Sequence, residues 1–289
     1  MNTPTTVKDV LEASTGYLDA RGVENPRLTS EWLMARLMKC GRMDLYLRFD
    51  TVLSEKQLAA MRRGVKRAGE GEPVQYIVGQ WDFMGHAFKV DPRALIPRPE
   101  TEVLVQTVLD CEALWETPSP CVVDVGTGCG CIAISLALAH PQAAFVALDI
   151  SEKALELASE NAAALGASDR IAFLRADLAE AVEPESVAAI VANLPYVTTE
   201  ACRHLPEHVR AHEPANALDG GADGLAVIGP TVQDAVFALR PGGWIFLEIG
   251  ADQADGVTKL MKAAGFAEVV VAPDLAGRDR VVTGRLEGV

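Results

Sequence analysis

Residues 193–196 read Asn-Leu-Pro-Tyr and follow directly on an apolar run, Ala188 to Val191. An amide, a chain stiffener and an aromatic ring at the end of a buried strand suit one task, holding a planar NH2 group. The nitrogen of an amide or exocyclic amine is a poor nucleophile because its lone pair is delocalised into the adjoining π system. It becomes reactive when two acceptors hold its N–H bonds and its lone pair is turned toward a methyl donor. Asn193 offers a side-chain carbonyl for one N–H, and the main-chain carbonyl of Leu194 offers the second acceptor. Pro195 biases Leu194 away from helix and keeps that carbonyl extended, while Tyr196 supplies a flat wall. Catalysis by such a set is mostly positioning for an in-line displacement, with no dedicated general base.

A second set lies in "VVDVGTGCGCIAI", residues 122–134. Gly126, Gly128 and Gly130 let the backbone turn sharply after a strand and approach a ligand closely, with helix-end N–H groups facing it. The spacing is G-x-G-x-G, not the dinucleotide fingerprint G-x-G-x-x-G. Asp149 ends the next strand-like run, about 20 residues on, where an acid commonly holds ribose hydroxyls. Asp177 ends the third, with Leu178 beside it, in position to meet an adenine edge. Asp124, inside the first run, can order the glycine turn by accepting N–H bonds. These features describe a nucleoside-bearing cofactor at the carboxyl edge of a sheet. NAD and S-adenosylmethionine both satisfy them, and the residues ending the fourth strand decide between the two.

The elements that must carry these residues are legible from Pro118 onward. Strand-like blocks ("CVVDVG", "AFVALDI", "IAFLRAD", "VAAIVANLPYV", "WIFLEIG", "AEVVVAP", "DRVVTGRL") alternate with helix-like ones ("CIAISLALAH", "SEKALELASENAAALG", roughly "GLAVIGPTVQDAVFALR", "QADGVTKLMKAAG"). That alternation predicts a mostly parallel sheet with helices on both faces. Only "DLAG" joins the last two strands, too short for a parallel crossover, so the final strand is expected to be antiparallel to its neighbour. The first 70 or so residues read as short helices: "VKDVLEASTGYLDARG", "RLTSEWLMARLMKCG" behind a Thr29/Ser30 cap, and "LSEKQLAAMRRGVKRAG" behind a Ser54–Gln57 capping box and ending at Gly69. "YIVGQWDFMGHAFKVDP" reads as β-prone runs around Gly79 and Gly85, a hairpin between the two parts.

The chain has 289 residues, 49% apolar and 23% charged, the balance of a soluble globular protein large enough for a sizeable core. It has no apolar run long enough for a membrane span and no secretory signal, so a cytoplasmic location is expected. Six cysteines without a C-x-x-C pair indicate reduced thiols rather than a disulfide framework or zinc site. Net charge is −14, unevenly spread: residues 1–80 hold 12 Lys and Arg against 10 Asp and Glu, and residues 81–289 hold 14 against 30. A polyanion would be repelled by the second part. The basic cluster Arg62, Arg63, Lys66 and Arg67 reads as a solvated helix face. "HLPEH", His204 to His208, matches a metalloprotease pattern, but Pro206 between the histidines argues against one helix presenting both. No metal is expected.

The motifs "LIPRPETEVLV", "VDVGTGCGCIAISLA", "ALDIS", "NLPYV", "HEPANALDGGADGL", "LRPGGWIFLEIG" and "DLAGRDRVV" together resemble the HemK/PrmC family, protein-(glutamine-N5) methyltransferases that modify class 1 peptide chain release factors. The resemblance covers essentially the whole chain. It implies an α/β, seven-stranded, Rossmann-like methyltransferase domain over 94–289, a hairpin linker over 76–93 and a helical substrate-recognition domain over 1–75. It implies S-adenosyl-L-methionine as cofactor and S-adenosyl-L-homocysteine as product. Gly126, Thr127, Gly128, Cys129, Gly130, Asp149, Asp177 and Leu178 would form the cofactor pocket, and Asn193 would touch both donor and acceptor. The glutamine of a Gly-Gly-Gln loop would be held by Asn193, Leu194, Pro195 and Tyr196, with Asn193, Pro195 and Tyr196 catalytic. The expected partner is a release factor, with no nucleic acid or membrane bound and the protein a monomer. The family usually has Asn-Pro-Pro-Tyr, and Leu194 replaces the first proline. Asn-Leu-Pro-Tyr is also typical of ribosomal-RNA adenine dimethyltransferases, so adenine-N6 methylation of RNA or DNA is the alternative. The acidic catalytic half and "RPETE", with Glu100 and Glu102, favour the release-factor branch.

Overall fold

A computed structural model describes residues 5–287; residues 1–4 and 288–289, assigned above to the first and last domains, lie outside the described residues. The chain forms two compact units, one of residues up to Gln80 with Pro206–His212, the other of Trp81–Leu205 with Glu213 onward.

In the first unit, α1 (Val7–Asp19), α2 (Pro26–Met38), α3 (Glu55–Gly69) and α4 (Val74–Val78) bury Val7, Leu11, Leu18, Met34, Leu45 and Met61 among themselves. The Ser54–Gln57 capping box is present. The expected Thr29/Ser30 cap is not: α2 starts at Pro26, whose fixed φ suits a first helical position, and Ser30 lies inside the helix with its hydroxyl donating to the Pro26 carbonyl. "YIV" is likewise helix rather than strand, stopped by Gly79 in the left-handed region.

A hairpin follows, β1 (Gln80–Phe83) and β2 (His86–Lys89), turning at Met84 and Gly85, both with positive φ; from Trp81 on it belongs to the second unit. Then follow α5 (Pro99–Leu109), α6 (Glu112–Trp115), β3 (Cys121–Val125), α7 (Cys131–Ala139), β4 (Ala144–Asp149), α8 (Glu152–Leu165), β5 (Ile171–Arg175), β6 (Val187–Ala192), α9 (Thr199–Cys202), α10 (Glu207–His212), α11 (Ile228–Ala238), β7 (Leu239–Glu248), α12 (Ala254–Ala263), β8 (Phe266–Pro273) and β9 (Asp279–Leu286); of these, α10 packs with the first unit. β7 begins earlier than its apolar run, because Pro241 holds Arg240 extended and ends the helical path at Ala238.

The seven strands lie in the order β5-β4-β3-β6-β7-β9-β8. β3 to β7 are parallel; β9 is antiparallel to both neighbours and inserts between β7 and β8. The alternating faces of the sheet feed two cores. Val122, Ala189, Val191 and Phe246 pack on one side, and Val123, Ile190, Ile245 and Leu247 on the other. Every residue of β6 is buried, as befits a central parallel strand covered on both faces.

Chain order reverses at β3. The path runs outward through β4 and β5, then returns to place β6 on the other side of β3. Such a switch point leaves a crevice outside the carboxyl ends of the two central strands. Buried Asn161 on α8 ties the hairpin to the glycine turn there: its Oδ1 accepts from Lys89 N at 2.7 Å, and its Nδ2 donates to the carbonyls of Lys89 and Cys129 at 3.0 and 2.9 Å. Glu102 Oε1 accepts from Met84 N at 2.7 Å and anchors the other end of the hairpin. Replacing Asn161 by Ala leaves these backbone groups unpaired, and equilibrium denaturation should show a loss of about 2–3 kcal/mol.

Candidate active site

A cavity of about 280 Å³ opens at the switch point, within the second unit. Gly126, Thr127, Gly128 and Cys129 from the turn after β3 line it, with Asp149 at the end of β4, Asp177 and Leu178 beyond β5, and Asn193, Leu194 and Pro195 beyond β6. Four successive parallel strands thus deliver the residues singled out in the sequence to one hollow. Gly130 and Tyr196 do not line it. Gly130 caps α7 at φ +84°, where a Cβ would lie 2.8 Å from Ile134 and 3.1 Å from Ala158, so its role is close packing of α7 on α8. Tyr196 is half-buried, and its hydroxyl donates to Glu248 Oε1 at 3.3 Å.

The glycine turn is held from below and from the side. Asp124, fully buried in β3, accepts from the Thr127 hydroxyl at 2.6 Å and from Ala133 N at 3.1 Å. Burial pushes its carboxyl up to about 7, against the pull of those two donors. Asp149 Oδ2 accepts from Gly128 N at 2.9 Å and Oδ1 from Ser151 N at 2.8 Å. Burial raises the Asp149 pKa, again opposed by its N–H donors. Gly126 has φ +73°, and a Cβ there would stand 3.2 Å from Leu194 Cδ2. Leu194 is itself buried, so the residue that departs from the family's usual proline packs onto the glycine turn across the switch point.

Beyond β6, Asn193 Nδ2 donates to Thr101 Oγ1 at 3.0 Å, which leaves Oδ1 to receive a donor. The loop after β6 is pinned by the segment 213–224. Val197 bridges to Asp219, Gly220 N donates to Val197 O at 2.8 Å, and Gln253 Nε2 donates to the carbonyls of Tyr196 and Gly224 at 3.0 and 3.3 Å. Glu213, 5% exposed, accepts from Ile96 N at 3.2 Å and Arg98 Nη2 at 2.7 Å, joining this segment to the loop before α5. Thr101, Glu213, Glu248 and Gln253 carry no role in the sequence reading. The one available signal was an acid inside an otherwise apolar strand, Glu248 in "WIFLEIG". His204 and His208 fall on either side of the break at Pro206, and His204 Nε2 sits 3.2 Å from Glu200.

Residues 9–79 match the family model described as the PrmC N-terminal domain, and residues 100–218 match the methyltransferase small domain. Over 282 residues the chain is 41% identical to the release factor glutamine methyltransferase of Geobacter sulfurreducens, covering 97% of each. It is 39% identical over 287 residues to the protein of the same name in Rhodopirellula baltica, covering 98% of this chain and 97% of that one. The chain belongs to the release factor glutamine methyltransferase family. It is an S-adenosylmethionine-dependent methyltransferase. The fold is shared with solved structures: the catalytic domain of hMettl16 in complex with a MAT2A 3'UTR hairpin (TM-score 0.55, 15% identity, 71% of this chain and 76% of that one), and a methyltransferase from Pyrococcus furiosus (TM-score 0.52, 15% identity, 70% and 89%).

The residues present fit the cofactor of this family. Gly126 and Gly128 leave a cradle with no side chains, acids stand at the ends of β4 and β5, and the walls between them are apolar. Putting a Cβ at Gly126 strains a left-handed residue by about 1–2 kcal/mol and crowds Leu194. Gly126→Ala should therefore weaken S-adenosylmethionine binding about tenfold or more by calorimetric titration, with the circular dichroism of the folded protein unchanged.

Proposed function

We propose that this enzyme transfers a methyl group from S-adenosylmethionine to the side-chain nitrogen, N5, of the glutamine in the Gly-Gly-Gln motif of class 1 peptide chain release factors. The observation that carries this reading is the commitment of Asn193 Nδ2 to Thr101, at the mouth where β6 leaves the sheet beside the glycine turn. A carbonyl oxygen held there, with the carbonyl of Leu194 next to it, is the acceptor pair that a planar NH2 requires.

Bound S-adenosylmethionine supplies an electrophilic methyl group on sulfur. Gly126, Thr127, Gly128, Cys129, Asp149, Asp177 and Leu178 would hold the donor, and Gly130 keeps their turn against α8. Asn193 and Leu194 take the two N–H bonds of the glutamine and aim its lone pair. Pro195 stiffens that geometry, and Tyr196, outside the cavity wall, tethers the end of the segment to Glu248 through its hydroxyl. With the donor in place, the oriented nitrogen would take the methyl group as its bond to sulfur breaks, and would then lose a proton to solvent. Holding the reactants in line accounts for the rate without a strong base.

The domain layout given above, recognition over 1–75, hairpin over 76–93 and catalysis over 94–289, belongs to the same proposal. A single glutamine cannot supply selectivity for one protein, and the first unit exposes Met43, Tyr46 and Leu47, Leu47 by 89%. The net charge of −14 speaks for a protein acceptor over RNA or DNA, and so do the relatives. No helix among the described residues is long and apolar enough to cross a membrane. We place the enzyme in the cytoplasm, as a monomer, where its substrate works.

Purified unmodified release factor and ribosomal RNA, each incubated with labelled S-adenosylmethionine, test the reading. Label should enter the Gly-Gly-Gln peptide alone; label in RNA alone would overturn it. Asn193→Ala should lower kcat by about 100-fold or more, the scale seen when one donor or acceptor of a reacting group is removed, with the fold retained. Leu47→Asp should raise KM for intact release factor while leaving the kinetics on a short Gly-Gly-Gln peptide unchanged. An equal effect on both would remove the first unit from recognition.

A further inference from the structure

Gln253 stands immediately before α12, at its N-cap, yet its side chain makes no capping bond. Gln is not among the preferred caps, and this amide is spent on other segments. Its main-chain N donates to Gly250 O at 3.0 Å and its Oε1 accepts from Gly250 N at 2.8 Å, which closes the turn after β7. A main-chain N–H can only donate, so Oε1 must face Gly250 and the NH2 must face away. Nε2 then donates to Tyr196 O at 3.0 Å and to Gly224 O at 3.3 Å, one carbonyl for each N–H bond. The function proposed above gives Gln253 no part.

The Tyr196 carbonyl and the Val197 N–H belong to one planar peptide unit. Gln253 holds its oxygen, and its N–H donates to Leu218 O at 3.1 Å, so the unit is gripped at both ends. Gly220 N donates to Val197 O at 2.8 Å and grips the next one. Such close approach is possible because glycines face this stretch. A Cβ at Gly220 would lie 2.6 Å from Pro195 O and 2.8 Å from Tyr196 Cα. At Gly224, where φ is +74°, a Cβ would overlap the Tyr196 carbonyl oxygen and Gln253 Nε2. Both glycines are buried. Upstream, the Pro195 ring fixes one of the dihedrals that connect the gripped unit to the Leu194 carbonyl.

We propose that Gln253 is a positioning residue: it locks the Tyr196–Val197 peptide and so fixes, through Pro195, the direction of the Leu194 carbonyl that takes the second N–H of the glutamine. This rests on the reading of Leu194 as an acceptor. The Leu194 side chain, buried against the glycine turn, holds the near end of the segment, and Gln253 holds its far end. Without the amide, the Tyr196 oxygen loses this donor and the peptide unit can tip about its remaining bond to Leu218. The torsions between pass that freedom to Leu194, and the NH2 is no longer held in line. The Tyr196 hydroxyl bond to Glu248 at 3.3 Å restrains the ring and leaves the peptide to Gln253. An acid at 253 does worse than an apolar chain of similar length. Its carboxylate still accepts from Gly250 N, but it sets a charged acceptor against two carbonyl oxygens and drives the segments apart.

Gln253→Met and Gln253→Glu, made in the full chain, test the lock with unmodified release factor and saturating S-adenosylmethionine. Gln253→Met should lose about tenfold in kcat, the scale of a buried carbonyl left unpaired. Gln253→Glu should lose about 100-fold, the scale of a misplaced reacting group. S-adenosylmethionine affinity by calorimetric titration should stay at the wild-type value in both, because Gln253 lies outside the cavity wall. A Gln253→Glu enzyme as active as Gln253→Met would overturn the lock, since a side chain that only fills space serves equally in either form. A fall in S-adenosylmethionine affinity equal to the fall in kcat would overturn it too. Wild-type kcat in Gln253→Met does so by itself, which decides the matter if the acid variant does not fold. A second readout needs no acceptor: amide hydrogen exchange at Val197 and Gly220 should be about tenfold faster in Gln253→Met than in wild type, a local opening, with the β3–β6 ladder unaffected. If wild type methylates no release factor yet exchange responds as stated, the lock stands and the substrate reading falls. If exchange at Val197 does not respond, the lock falls whatever the substrate.

Discussion

The contact between Leu194 and Gly126 sits where the chain reverses direction across its own sheet, and the site is organised about it. β6 must lie beside β3 because both are buried on two faces and neither can be an edge. Their carboxyl ends therefore emerge side by side, one as the glycine turn and the other as the Asn-Leu-Pro-Tyr segment. The space a Cβ would take at Gly126 is bounded by the Leu194 side chain. That contact sets the separation between the glycine turn and the Asn-Leu-Pro-Tyr segment. A proline at 194, usual in the family, would fix the backbone by its ring; leucine reaches the same end by burying a side chain against the turn.

Two buried acids, Asp124 and Glu248, and the half-buried Asp149 hold the glycine turn and the Asn-Leu-Pro-Tyr segment, and each is kept in place by what it accepts. Asp124 gathers a hydroxyl and a helix N–H beneath the turn, Asp149 gathers two backbone N–H groups at its edge, and Glu248 holds the Tyr196 hydroxyl on the acceptor side. Burial raises the pKa of all three. Desolvation of this kind is costly unless hydrogen bonds offset it, which explains why backbone donors and hydroxyls, rather than basic side chains, occupy most of the positions around them. The exception is Arg280, which approaches Glu248 from β9, the antiparallel strand inserted between β7 and β8.

Membership of the release factor glutamine methyltransferase family agrees with the chemistry of this arrangement. An amide nitrogen needs two acceptors and a fixed direction of approach more than it needs a base, and the residues around Asn193 supply acceptors. The walls of the acceptor mouth come from far apart in the chain. Arg98, which lines the cavity, precedes α5, and its ion pair at 2.7 Å with Glu213, which follows α10, ties these two segments together. The segment from Asp219 to Gly224 adds a bridge to Val197 and, through Gln253, a hold on the Tyr196 carbonyl.

Much of this was legible in the chain. The alternation of apolar runs and helical blocks determined seven strands, the antiparallel last strand, and the delivery of the glycine turn, Asp149, Asp177 and Asn193 to one edge, because periodicity and turn chemistry are local properties. The Ser54–Gln57 capping box was readable for the same reason. Tertiary structure decided what depends on residues distant in sequence. It took Gly130 and Tyr196 out of the cavity wall. It also brought Thr101 to Asn193 from 92 positions away and Glu248 to Tyr196 from 52. A lone acid in an apolar strand announces that it needs a partner, but only the tertiary structure, which sets the Tyr196 hydroxyl against Glu248, names it.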